Sequence, residues 1–110
     1  MNPQELISSL IAAAAAHTGL DPAEIIGKCR ETAHVEARWA CWSVMRANGM
    51  TLQSIARAFS RDHATIIYGL RRAGDDHGNR SNSFRQLCEA VDSASSLLQN
   101  AESIHPETKP

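Results

Sequence analysis

The chemistry this chain can offer lies mostly between Lys28 and Arg72. At helical spacing, Ala64, Thr65, Tyr68 and Arg72 gather on one side of a short segment, and Ile66, Ile67 and Leu70 gather opposite. The apolar side is expected inside. The other side is small at its N-terminal end, so that a groove floor can approach, and cationic toward its C-terminal end. That gradient suits a helix entering a DNA groove end-on. Other chemistries fare less well. Cys29, His34 and Cys41 are metal-ligand types but lack a second paired set at zinc spacing, and no metal is expected. The run from Gly19 to Gly27-Lys28-Cys29 is too long for a phosphate loop, lacks the final hydroxyl and follows no strand, so no nucleotide is expected either. No nucleophile, base and orienting acid form a unit, and the chain does not read as an enzyme.

The elements that must position these residues are all helical. Asn2-Pro3-Gln4-Glu5 offers an N-cap, a proline at the first helical position and a carboxylate three residues after the cap, and Gly19 supplies a stop. Asp21-Pro22-Ala23-Glu24 repeats that start for a short second helix closed by Gly27, with a loop from Lys28 to Ala33. A third helix is predicted over 34–48, with Trp39 and Trp42 as core or flank residues and Gly49 at its end. Thr51 caps a fourth, apolar at Leu52, Ile55, Ala56 and Phe59. A tight break at Ser60-Arg61-Asp62 leads to a fifth over 63–73. Gly, Asp, Asn and Ser dominate 74–83, which reads as a loop. A sixth amphipathic helix follows over 83–100, then a polar tail over 101–110 that reads as flexible. The fold class is all-α, with one helical domain over 1–100.

At 110 residues, 43% hydrophobic and 21% charged, the chain has room for one core and the composition to fill it. The net charge of −1 hides a division. Residues 28–72 carry Lys28, Arg30, Arg38, Arg46, Arg57, Arg61, Arg71 and Arg72 against Glu31, Glu36 and Asp62, for +5, whereas each end of the chain sums to −3. A cationic centre between acidic ends fits a nucleic-acid surface, or equally a solvated helix face. Three cysteines without a paired motif suit a reducing compartment. The apolar run from Leu10 to Ala16 follows Glu5, with no preceding cation, and is too short to span a bilayer, so a cytoplasmic protein with no membrane contact is expected.

Two short helices joined by a turn of about three residues have the dimensions of a helix-turn-helix. Within it, Phe59-Ser60-Arg61-Asp62-His63-Ala64-Thr65-Ile66 resembles the Phe-Gly-Arg-Asp-His-Thr-Thr-Val signature of the C-terminal DNA-binding domain of the bacterial replication initiator DnaA. Lys28-Cys29-Arg30 is similar to that family's basic loop, Ala37-Arg38 with Ala40 to its long helix, and Thr51-Leu52-Gln53-Ser54-Ile55 to its Ser-Leu-Pro-Glu-Ile segment. The resemblance covers roughly 4–73.

The resemblance implies double-stranded DNA as the partner. Arg30 would enter a minor groove, while Asp62, His63, Ala64 and Thr65 read base edges in the adjacent major groove. Gln53 stands where the family has a base-contacting proline. Lys28, Arg38, Thr51, Arg61 and Arg72 would meet phosphates. Ala64 in place of threonine, Ser60 in place of glycine and the sparser cations of the loop imply weaker binding or an altered site. Plainer roles remain open beside these. Asp62 suits an N-cap, Arg30 can pair with Glu31 or Glu24, and His63, on the azimuth of Ile66 and Leu70, reads also as a partly buried histidine. The implied use is replication control or transcription regulation without an ATPase module, the alternative being a helical protein-interaction module. The sixth helix has an apolar stripe for its own core, or for another copy or protein partner.

Overall fold

A computed structural model describes residues 3–79 and 82–103, with side chains described over 3–75 and 82–98. Six helices follow in order: α1 Pro3–Thr18, α2 Pro22–Ile26, α3 Thr32–Ala47, α4 Leu52–Phe59, α5 His63–Asn79 and α6 Asn82–Ser103. Among the described residues there is no strand. The N-cap expected at Asn2 lies outside them.

The helix ends follow local chemistry. Asp21 caps α2, its carboxylate accepting from the Ala23 N–H at 2.8 Å. The Thr51 hydroxyl caps α4 by accepting from the Ser54 N–H at 3.0 Å. After α3 the chain turns at Gly49, whose φ of +92° is open to glycine at little cost. There Gly49 N–H donates to Arg46 C=O and Met50 N–H to Met45 C=O, which satisfies two carbonyls at the helix end.

α3 is the central strut. Ala37, Ala40, Cys41, Trp42, Val44 and Met45 are buried on it, and it touches every other helix. The stripe Leu6, Leu10, Ile11 and Ala14 of α1 packs on α3 and α6. α6 closes the far side with Phe84, Leu87, Cys88 and Val91 buried, so its apolar stripe covers the domain's own core. α5 lies across α3, and the contact is very close at Gly69. A methyl placed there would sit 2.5 Å from Cε3 and Cζ3 of Trp42 and 2.7 Å from Cδ1 of Trp39. Trp42 in turn meets Phe59 of α4 edge-on, with ring centroids 5.6 Å apart. The same indole therefore seats both halves of the helix-turn-helix.

Four boundaries differ from the sequence reading. α3 begins at Thr32, so the loop ahead of it is shorter. α5 continues to Asn79 and α6 begins at Asn82, which removes most of the loop expected over 74–83. Gly, Asp and Asn are poor helix formers, but the penalty is at most about 1 kcal/mol each, and packing of α5 against α6 overrides it. α6 also runs to Ser103, past the expected start of the tail; residues 104–110 lie outside the described ones.

Candidate nucleic-acid interface

The turn between α4 and α5 is built by Ser60 in the left-handed conformation, φ 53° and ψ 48°. Arg61 N–H donates to Ala56 C=O and Ser60 N–H to Arg57 C=O, a Schellman arrangement that normally favours glycine. Asp62 then starts α5, its Oδ1 accepting from the Thr65 N–H at 2.9 Å. The Thr65 backbone and hydroxyl hold this carboxyl below its ordinary range, so it stays ionised at neutral pH. Asp62, His63, Ala64 and Thr65 are all exposed, as are Thr51 and Gln53 at the start of α4. The plainer reading of His63 as a partly buried histidine is thereby overturned, whereas the N-cap role of Asp62 is present in addition to its exposure.

Farther along α5 the inward stripe is Ile66, Gly69, Leu70 and Ala73. Ile67, expected inside, is 42% exposed and joins Ala64, Tyr68 (55% exposed) and Arg71 on the outward face. The cation at the end of that face is thus Arg71, which the sequence reading missed, and not Arg72. Arg72 is half-buried, its guanidinium 5.7 Å from the Trp39 ring centroid and its Nε buried without a hydrogen-bond partner. It packs on Trp39 of α3 while staying partly open to solvent. The reason is geometric: Gly69 brings the helix so close to the two indoles that the inward face turns toward it and away from the larger Ile67.

The loop between α2 and α3 presents Lys28 and Arg30 to solvent. Two arginines hold it from behind. Arg38 is only 5% exposed; its Nε donates to Ile25 C=O at 2.7 Å and its Nη2 to Cys29 C=O. Burial and the neighbouring Arg61 lower its pKa from the usual guanidinium value. Arg38 was expected at a phosphate. Burial rules that out and makes it a positioning residue. Arg61 is half-buried and bridges the two motifs, with Nη1 on Phe59 C=O at 2.9 Å and Nη2 on Gly27 C=O at 2.5 Å. It too is engaged chiefly with backbone. These bonds tie the basic loop to the turn that launches α5, so Arg30 and the Asp62–Thr65 tip belong to one surface unit.

The metal set weighed from sequence is divided. Cys41 is buried in the core, its thiol directed at Leu10 C=O at 3.6 Å, and burial pushes its pKa up to about 12. Cys29 and His34, by contrast, meet at 3.5 Å. Among the described residues no helix is long and apolar enough to cross a membrane.

No curated protein matches the chain. A family described as the bacterial dnaA protein helix-turn-helix matches residues 7–73, which takes in most of α1, α2, the basic loop, α3, α4 and the first part of α5, but not α6. The family is a DNA-binding one and not catalytic, and double-stranded DNA is its partner. With more than half its length matched, this chain belongs to the bacterial DnaA helix-turn-helix family.

Proposed function

We propose that the protein binds duplex DNA with sequence preference, reading the major groove with the exposed tip of α5 and the adjacent minor groove with Arg30, in the service of replication control or transcription regulation. The observation that carries this reading is the bridge made by Arg61. Its two bonds, to Phe59 C=O and Gly27 C=O, fix the arginine loop against the recognition turn, as readout of two neighbouring grooves requires.

In this arrangement the ionised Asp62 accepts from a cytosine amino group. The Ala64 methyl packs on a thymine methyl, and His63, Thr65 and Gln53 supply the remaining polar contacts to base edges. Lys28 and Thr51 meet phosphates, joined by Arg71 at the end of the outward face. Free N–H groups at the start of α4 and α5 add backbone donors. Arg30 gains from the negative potential of a narrow A·T-rich minor groove. Sites resembling those of the replication initiator are the natural targets, and a nucleoid location in the cytoplasm follows.

The test is selection of bound duplexes from a random library. A recovered motif of A·T-rich sequence flanking a block with fixed bases supports the reading. Recovery of no motif, with binding that is absent or insensitive to salt, would favour a protein-interaction module instead.

A further inference from the structure

Beside the arginine loop lies a cluster that DNA recognition does not use. Cys29 Sγ, Glu31 carboxylate and His34 Nδ1 lie within 4.8 Å of one another. The individual separations are 3.5 Å from sulfur to Nδ1 and 3.6 Å from Nδ1 to the Glu31 oxygen. With Zn–S near 2.3 Å and Zn–N or Zn–O near 2.0–2.2 Å, the edges of a tetrahedral zinc site are about 3.4–3.6 Å. Two of the three edges therefore fall at coordination distance, and the third, sulfur to carboxylate within 4.8 Å, closes by rotation of the exposed Glu31 side chain. On its far side, His34 Nε2 faces Glu24 Oε1 at 3.3 Å. A carboxylate on the second ring nitrogen sets the tautomer that leaves Nδ1 free to ligate, an arrangement typical of metal-bound histidines. His34 is 5% exposed and rigidly placed, while Cys29 and Glu31 are open to incoming ions.

We infer that Cys29, Glu31 and His34 bind a divalent, borderline-soft cation of the zinc type, with Glu24 as the orienting carboxylate and water in the fourth position. On binding, the Cys29 thiol gives its proton to solvent and the thiolate takes the metal. Two ligands, Cys29 and Glu31, flank Arg30 in the chain. The ion therefore clamps the loop on both sides of that arginine, and it adds one net positive charge where Glu31 and Glu24 would otherwise oppose an approaching phosphate. This second consequence rests on the DNA-binding reading; the site itself does not.

The experiment uses the full chain stripped with chelator and titrated with Co²⁺, then Zn²⁺, without DNA. One Co²⁺ per chain should bind with a thiolate-to-metal charge-transfer absorption and be displaced by one equivalent of Zn²⁺. Cys29→Ser should abolish the band, and Glu24→Gln should weaken affinity about 10–100-fold. His17→Ala, at the exposed end of α1, should change nothing. Zn²⁺ should also protect Cys29 from alkylation. Absence of the band, or its persistence in Cys29→Ser, overturns the site. Should a His34 variant fail to fold, the loop variant Cys29→Ser still decides. Duplex affinity is then measured with and without one equivalent of Zn²⁺: a several-fold gain, lost in Cys29→Ser, is expected. Metal binding with unchanged DNA affinity overturns the clamp, and no DNA binding in either state contradicts the functional reading and leaves the metal result standing.

Discussion

The tip of α5 and the arginine loop belong to one surface unit but are held by different means. The tip is held locally: Asp62 caps its own helix three residues on, and Ser60 makes the turn just before it. The loop makes few bonds of its own and is held from a distance by Arg38 and by Arg61, which reaches back to Gly27. A short-range device can be damaged without disturbing its neighbour. Damage to a long-range one must spread to both surfaces.

The largest effect is expected at the seam beneath both. Gly69→Ala forces a methyl into the Trp42 ring, which cannot retreat from the core, and should destabilise the protein by about 3 kcal/mol, the upper part of the range for overpacking. Denaturant unfolding measures it. Next, Arg38→Ala leaves Ile25 C=O and Cys29 C=O without their donor; a loss of about 1.5–3 kcal/mol is expected, together with weaker DNA binding, although Arg38 itself is buried behind the loop. An Arg38→Ala variant of unchanged stability and affinity would break the contrast between the two supports. Ser60→Gly relieves a left-handed L-residue and should stabilise by about 0.5–1 kcal/mol in thermal melts, with the loop undisturbed. Gly74→Ala is the counterpart to Gly69→Ala on the same helix. Nothing lies within 4 Å of the added methyl, so a gain of about 0.5–1 kcal/mol from helix propensity is expected.

The smallest effect concerns acid. The folded-state pKa of Asp62 lies below its ordinary value near 3.8, so its contribution is present above that value and is lost as pH falls through the folded pKa. Acid melts of Asp62→Asn should lack this component. They should differ from the wild type in pH dependence only below about pH 4.

The same contrast explains what could be read from the chain. Arg61-Asp62-His63 and the caps at Asp21 and Thr51 act within a few residues, and the six helices and the exposed tip were legible for that reason. Arg38 looked like one more surface cation because its carbonyl partners are set by the packing of α2 on α3. Apolar size alone points Ile67 inward and Arg72 outward, whereas the absence of a side chain at Gly69 decides which face of α5 approaches Trp42. The long α5 was hidden by residues that disfavour helix locally. Glu31 as a companion of Cys29 and His34 is not legible from spacing, because the recognisable zinc signature is one of paired cysteines.

The most direct test of the account is titration of an A·T-containing duplex with wild-type protein and with Arg30→Ala across a range of salt. With about four or five phosphates neutralised, log K should fall with log salt at a slope of about −4. Arg30→Ala should weaken binding about tenfold and reduce the slope by about 1. Wild-type affinity that ignores salt, or an Arg30→Ala titration superimposable on the wild type, would contradict the claim that the loop and the helix tip engage DNA together.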